Sequence, residues 1–134
     1  MTRLFLPLFL WTLVVGCWST PDGPHEGQEA PQFQARAMSG GSFDLKQMKG
    51  KPTMIVFWAS WCGPCRQEAP DEVRVQKNYG SRVNLVGVNA GEKGPIAKRA
   101  ALQMGITWPV AMDPDGAIQS LYEVSGIPLV LILD

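Results

Sequence analysis

Two cysteines separated by two residues, in Trp61-Cys62-Gly63-Pro64-Cys65, are the side chains of this chain best suited to covalent chemistry. Thiol–disulfide exchange needs a thiolate, a second thiol near enough to resolve the mixed disulfide, and access for a partner. A Cys-x-x-Cys segment that opens a helix meets all three needs. The first Cys caps the helix, where unpaired backbone N–H groups and the dipole favour negative charge, and the second lies one turn on. A free thiol with a pKa of about 8.5 is roughly 3% thiolate at pH 7. Lowering the pKa to about 7 makes it half thiolate, a change worth roughly 2 kcal/mol. Cys62 is therefore read as the nucleophile and Cys65 as the resolving thiol.

Two other uses of a cysteine pair compete with this one. A structural disulfide does not normally span two residues at a helix start. A zinc site needs four ligands, and beyond the pair the chain has only Cys17 and His25 to give, both ahead of the domain. No metal is expected, and no cofactor beyond the redox-active Cys62–Cys65 disulfide.

The elements that must position the pair follow from periodicity. Residues 54–58 are apolar throughout and end just before the motif, as a strand covered on both faces would be. Cys65, Ala69 and Val73 repeat at helical spacing up to Gly80, with Pro70 expected to kink the helix. Arg66, Gln67, Asp71, Glu72 and Arg74 read as its solvated surface. Residues 83–88 suggest a second strand. Ile96, Ala100 and Met104 mark a second helix, entered at Pro95 and left at Gly105. Residues 109–112 suggest a third strand, followed by a turn at Asp113-Pro114-Asp115-Gly116 and a short helix over 118–122. A final apolar strand over 129–133 follows Gly126-Ile127-Pro128. Ahead of all these, residues 33–43 suggest a hairpin turning at Gly40-Gly41, and residues 44–48 one helical turn. Strands alternating with helices imply an α/β domain around a parallel core.

The chain has 134 residues, enough for one domain, with 46% apolar and 18% charged side chains. Twelve basic side chains balance twelve acidic ones, so nothing points to nucleic acid. Arg3 followed by the apolar residues 4–15, broken only by Pro7 and Thr12, reads as an export signal. Twelve residues rise about 18 Å as a helix, short of the roughly 30 Å hydrocarbon core. The run ends in Val14-Val15-Gly16-Cys17, which resembles a bacterial lipobox, so Cys17 is the expected lipidation site. Residues 1–16 would be the lipoprotein signal peptide, 17–30 the lipidated Cys and a flexible Pro- and Gly-containing tether, and 31–134 the domain. His25 falls in the tether and reads as solvated.

The chain resembles the thioredoxin superfamily, and within it the TlpA/ResA-like membrane-anchored reductases. The resemblance rests on Ala30-Pro31-Gln32-Phe33, on the run from Val56 through Cys65, on Glu68 and Pro70, and on Gly126-Ile127-Pro128. It implies a thioredoxin-like fold, a central mixed sheet flanked by helices. It also implies thiol–disulfide oxidoreductase activity facing the periplasm or extracytoplasmic space. Substrates would be disulfide-containing exported proteins or apocytochrome c, and a membrane thiol reductase would supply electrons. Pro128 matches the family's cis-proline opposite the active-site pair. With Ile127, whose backbone would pair with an incoming peptide, and with Trp61, Gly63 and Pro64, it would form the substrate-contacting surface. Thioredoxin's buried Asp is replaced here by Val56. Glu68, three residues after Cys65, resembles the branch's buried glutamate, which burial would raise toward neutrality for proton transfer at Cys65. The resemblance also implies one more strand and a closing helix, where residue 133 is followed only by Asp134. These are expected to be absent, leaving the last strand a marginal sheet edge.

Other functions on this fold fit less well. A peroxiredoxin would need Thr or Ser three residues before the reactive Cys and Pro seven before it, where Ala59 and Ile55 stand. A copper-delivery protein would need cysteines spaced by three residues and a histidine in the domain. A non-catalytic peptide-binding module is the remaining alternative, against which stand both intact cysteines. For the leader, Cys17→Ser is expected to leave an unprocessed, unacylated chain that no longer fractionates with membranes. Intact-mass analysis of both fractions checks it.

Overall fold

The computed structural model describes residues 25–134, so the signal segment, Cys17 and most of the tether lie outside the described residues. A six-stranded mixed sheet runs in the order β2-β1-β5-β4-β3-β6. β1 (Gln34–Ala37) and β2 (Ser42–Asp44) form the expected antiparallel hairpin. Its turn uses Gly40 and Gly41, both in the left-handed region at φ 101° and 76°, which glycine occupies without steric cost. A 3₁₀ turn over Leu45–Met48 follows, capped by the Asp44 carboxylate accepting from the Lys46 N–H at 2.9 Å.

Three parallel strands carry the centre: β3 (Thr53–Trp58), β4 (Asn84–Ala90) and β5 (Val110–Asp113). β6 (Leu129–Leu133) pairs antiparallel with β3 and forms one edge. Alternation along the strands sends side chains into two cores. Trp58, Leu85, Val110 and Met112 face α1 (Gly63–Tyr79) and α2 (Gly94–Met104). Ile55, Phe57, Val86, Val88 and Ala111 face the 3₁₀ turn and α3 (Ala117–Leu121). Both cysteines belong to the first core. Along β6, Leu129, Leu131 and Leu133 pack on the second core, while Val130 and Ile132 are exposed. No helix among the described residues is long and apolar enough to cross a membrane.

Two helices differ in detail from their sequence patterns. α2 meets the sheet through Ala97, Ala100 and Ala101, while Ile96 is 52% exposed. Three alanines let the helix sit close, and that rotates the bulkier Ile96 off the core. α1 runs through Pro70, which removes one helical N–H, and its buried stripe is Cys65, Ala69 and Glu72. Glu72 is therefore inside, where the sequence suggested a solvated position.

Behind the cysteine motif the first core is tight. The indole nitrogens of Trp58 and Trp108 converge on Gly87, and a methyl group there would stand 2.9 Å from Trp58 Nε1 and 3.1 Å from Val110 Cγ2. Gly87→Ala is expected to destabilise the domain by about 1–3 kcal/mol through overpacking, read as a lower urea midpoint at unchanged slope.

Candidate active site

The motif begins where β3 ends. Apolar residues carry β3 through the middle of the sheet to Trp58, and there the chain turns. The Cys62 N–H donates to the Ala59 carbonyl at 3.2 Å, closing a turn that leads into α1. Cys62 takes the N-cap position in extended geometry, and its sulfur accepts from the Cys65 N–H at 3.2 Å. Pro64 occupies the first turn, where the missing N–H of proline costs nothing. Cys62 and Cys65 are joined as a disulfide, with Cα atoms 5.3 Å apart and 3% and 1% of their surfaces exposed. Trp61 is 69% exposed, and Gly63 and Pro64 are exposed as well. These three residues form the exposed rim of the motif.

The Ile127–Pro128 peptide bond is cis. Ile127 is half-buried and packs against both cores, the one that contains the two cysteines among them. Val56, in the place of thioredoxin's aspartate, is fully buried.

The burial anticipated for Glu68 is not found: its side chain is exposed. The reason is angular. At about 100° per residue, Ala69 and Glu72 fall roughly 40° and 20° from the line of Cys65, whereas Glu68 falls about 60° away, on the solvent margin. Glu72 instead has its pKa raised from 4.5 to about 7, first by burial, then by the charges of Glu68 and Asp71.

A second buried carboxylate had no motif to announce it. Glu92 follows β4, and only 8% of it is exposed. It accepts from the Ser60 N–H at 2.8 Å, from the Ser60 hydroxyl, and from the Asn89 amide at 2.8 Å. Arg66 in turn donates through Nε to the Ser60 carbonyl at 3.0 Å and through its terminal nitrogen to the same oxygen. Burial raises the Glu92 pKa, but the Ser60 hydroxyl, the Asn89 amide, the Ser60 N–H and the Arg66 charge outweigh it, so the group lies below its ordinary value. The usable sequence signal was slight: an acid just after an apolar strand that runs parallel to β3. A cleft of about 220 Å³ beside this network includes Ser60, Arg66, Ile96 and Arg99 in its lining.

A family model described as AhpC/TSA matches residues 26–134. The chain belongs to the AhpC/TSA family. Among proteins of related sequence, it is 40% identical to the thioredoxin-like protein YneN of Bacillus subtilis, over 84% of this chain and 67% of that one. It is 29% identical to the thiol-disulfide oxidoreductase ResA of Bacillus subtilis, over 92% of this chain and 70% of that one. Among solved structures, a secreted Mycobacterium tuberculosis disulfide oxidoreductase homologous to Escherichia coli DsbE superposes with a TM-score of 0.71. It is 29% identical, and the match covers 75% of each chain. These likenesses agree with the thioredoxin-like fold and the ResA-like branch of this AhpC/TSA family member.

The raised pKa of Glu72 has a measurable consequence. A carboxyl whose folded pKa exceeds its unfolded value keeps a proton that the unfolded chain has released, so stability falls as pH rises between the two values. The contribution is full below about 4.5 and lost as pH passes about 7. Discounted for solvent screening, the loss is about 1–2 kcal/mol. Urea unfolding of the parent and of Glu72→Gln at pH 5 and pH 8 should show this difference in the parent and its absence in the variant.

Proposed function

We propose that this chain is a thiol–disulfide oxidoreductase acting by dithiol–disulfide exchange at Cys62 and Cys65. The observation that carries this reading is the joined pair at the N-terminus of α1, with Cys62 as the cap and its sulfur accepting the Cys65 N–H. In the reducing direction both thiols start free. The Cys62 thiolate attacks one sulfur of a substrate disulfide, forming a mixed disulfide and releasing the other substrate sulfur as a thiolate, which takes a proton. Cys65 then loses its proton and attacks Cys62, closing the Cys62–Cys65 disulfide and releasing the second substrate thiol. Two electrons pass to the substrate, and a donor dithiol of the membrane must return them.

Trp61, Gly63 and Pro64 form the exposed rim of the site, and Ile127 and Pro128 its facing side, where the Ile127 backbone accepts an extended substrate segment. The proton-transfer role at Cys65 that the resemblance implies for Glu68 rested on burial, and the exposed side chain does not support it. The substrates are disulfide-bearing exported proteins, with apocytochrome c as the class the family resemblance implies. The domain works outside the cytoplasm, after removal of residues 1–16 and lipidation of Cys17, with residues 17–30 as the tether. The export pattern of the leader and the secreted character of the Mycobacterium tuberculosis relative support that placement. A peptide-binding module without turnover is the competing reading, and the intact cysteine pair speaks against it.

Cys62→Ser is expected to abolish reduction of insulin disulfides, and Cys65→Ser to trap substrates covalently on Cys62. In the reduced parent, Cys62 should alkylate at least tenfold faster than Cys65 below neutral pH. Mass-spectrometric peptide mapping measures the two rates, and equal rates would count against the helix-terminus argument.

A further inference from the structure

Once the Cys62–Cys65 bond opens, the residues on either side of Cys62 in the chain do little to fix it. Trp61 is largely in solvent, and a methyl group added at Gly63 would meet nothing within 4 Å. The remaining holds are burial in the first core, the Cys65 N–H to sulfur bond, the Arg66 N–H to the Cys62 carbonyl at 3.3 Å, the Ala59–Cys62 turn, and whatever anchors that turn upstream. The anchor is Ser60. Each of its polar groups is engaged: N–H and hydroxyl by the Glu92 carboxylate, and carbonyl by the Arg66 guanidinium. Glu92 comes from the loop after β4 and Arg66 from α1, so Ser60 is clamped between two elements.

The chemistry at position 92 is specific. Three donors, the Ser60 N–H, the Ser60 hydroxyl and the Asn89 amide, converge on two oxygens. An ionised carboxylate is acceptor-only and receives all three. An amide would keep its oxygen for the Ser60 and Asn89 N–H donors and turn its NH₂ toward the Ser60 hydroxyl, which would have to reverse from donor to acceptor, and it would leave Arg66 without a countercharge. Arg66 supplies the countercharge that a buried carboxylate needs.

We propose that Glu92 is a positioning residue for disulfide exchange: through Ser60 it holds the Ala59–Cys62 turn so that Cys62 stays in ring-closing register with Cys65 after the disulfide has opened. The role rests on the exchange reading above. Ring closure resolves the mixed disulfide and ends the catalytic cycle, so the clamp acts on that step and on the ease with which the pair is reduced.

The test equilibrates the full chain with glutathione. One protein disulfide and two glutathione thiols exchange with one protein dithiol and one glutathione disulfide, a two-electron balance. Glu92→Gln should loosen the turn in the dithiol form more than in the disulfide form, making the pair about tenfold easier to reduce, about 30 mV in potential. The Cys62–glutathione mixed disulfide should persist longer, because attack by Cys65 is slowed. Ser60→Ala should shift the constant in the same direction by less, since its N–H still reaches Glu92. A residue that only supports the fold would lower the unfolding midpoint and leave the constant of the folded protein at the parental value. That result overturns the proposal. Should Glu92→Gln fail to fold, an unchanged constant and resolution rate in Ser60→Ala overturns it. A parent that equilibrates with glutathione but turns over no protein disulfide would defeat the exchange reading, while the clamp would still be read from the glutathione constants.

Discussion

The parallel register between β3 and β4 is the constraint from which the site follows. Pairing runs from Thr53 with Asn84 to Trp58 with Asn89, so the two strands finish side by side. The segments that follow them, Ala59–Cys62 and Gly91–Glu92, must then meet beyond the C-terminal ends of these two strands. Because side chains alternate with period two, a slip of one residue would send Trp58 to the wrong core and carry the turn away from its partners. The buried Ile55, Phe57, Val86 and Val88 on one face, with Trp58 and Leu85 on the other, make such a slip costly.

α1 has to satisfy two demands at once. Its first turn must leave N–H groups free to face the Cys62 sulfur, which the N-cap geometry and Pro64 arrange. Its body must lie against the sheet, which Cys65 and Ala69 arrange by being small. The cost of this arrangement appears at Glu72, a carboxyl on the same buried stripe that is driven toward its neutral form. The helix is thus favourable to negative charge at its beginning and unfavourable to it along its inner face.

Much of this was legible in the chain itself. The apolar run ahead of the motif, the glycines of the hairpin, the proline entry and glycine exit of α2, and the last apolar strand all correspond to observed elements. Local pattern sufficed there because each element carries its own periodicity and its own stops. What escaped was angular or long-range. Glu68 and Glu72 differ by one helical turn, and only the orientation of α1 on the sheet, set by Cys65 and Ala69, decides which is inside. Glu92 and Ser60 lie thirty-two positions apart, and no local pattern joins them; their contact exists only once β3 and β4 are paired. Helical spacing grouped Ile96 with Ala100 and Met104, but α2 packs by its alanines.

Tyr122 joins the beginning of the folded domain to its interior. Its hydroxyl donates to the Pro31 carbonyl at 2.6 Å, and its ring packs against Phe33 and Phe57, each 6.0 Å away between centroids. Burial pushes its pKa up to about 12, so the phenol stays a donor over the whole pH range in which Glu72 changes state. In mechanical terms, this is where a pull on the preceding segment would be borne. A load on the chain ahead of Pro31 would be carried into a buried joint backed by a strand of the central sheet. Before Phe33 could be drawn from the ring cluster, that hydrogen bond and the aromatic contacts behind it would have to give way together. The joint would act as a pH-insensitive strain relief, keeping β1 seated whatever force arrives through Pro31.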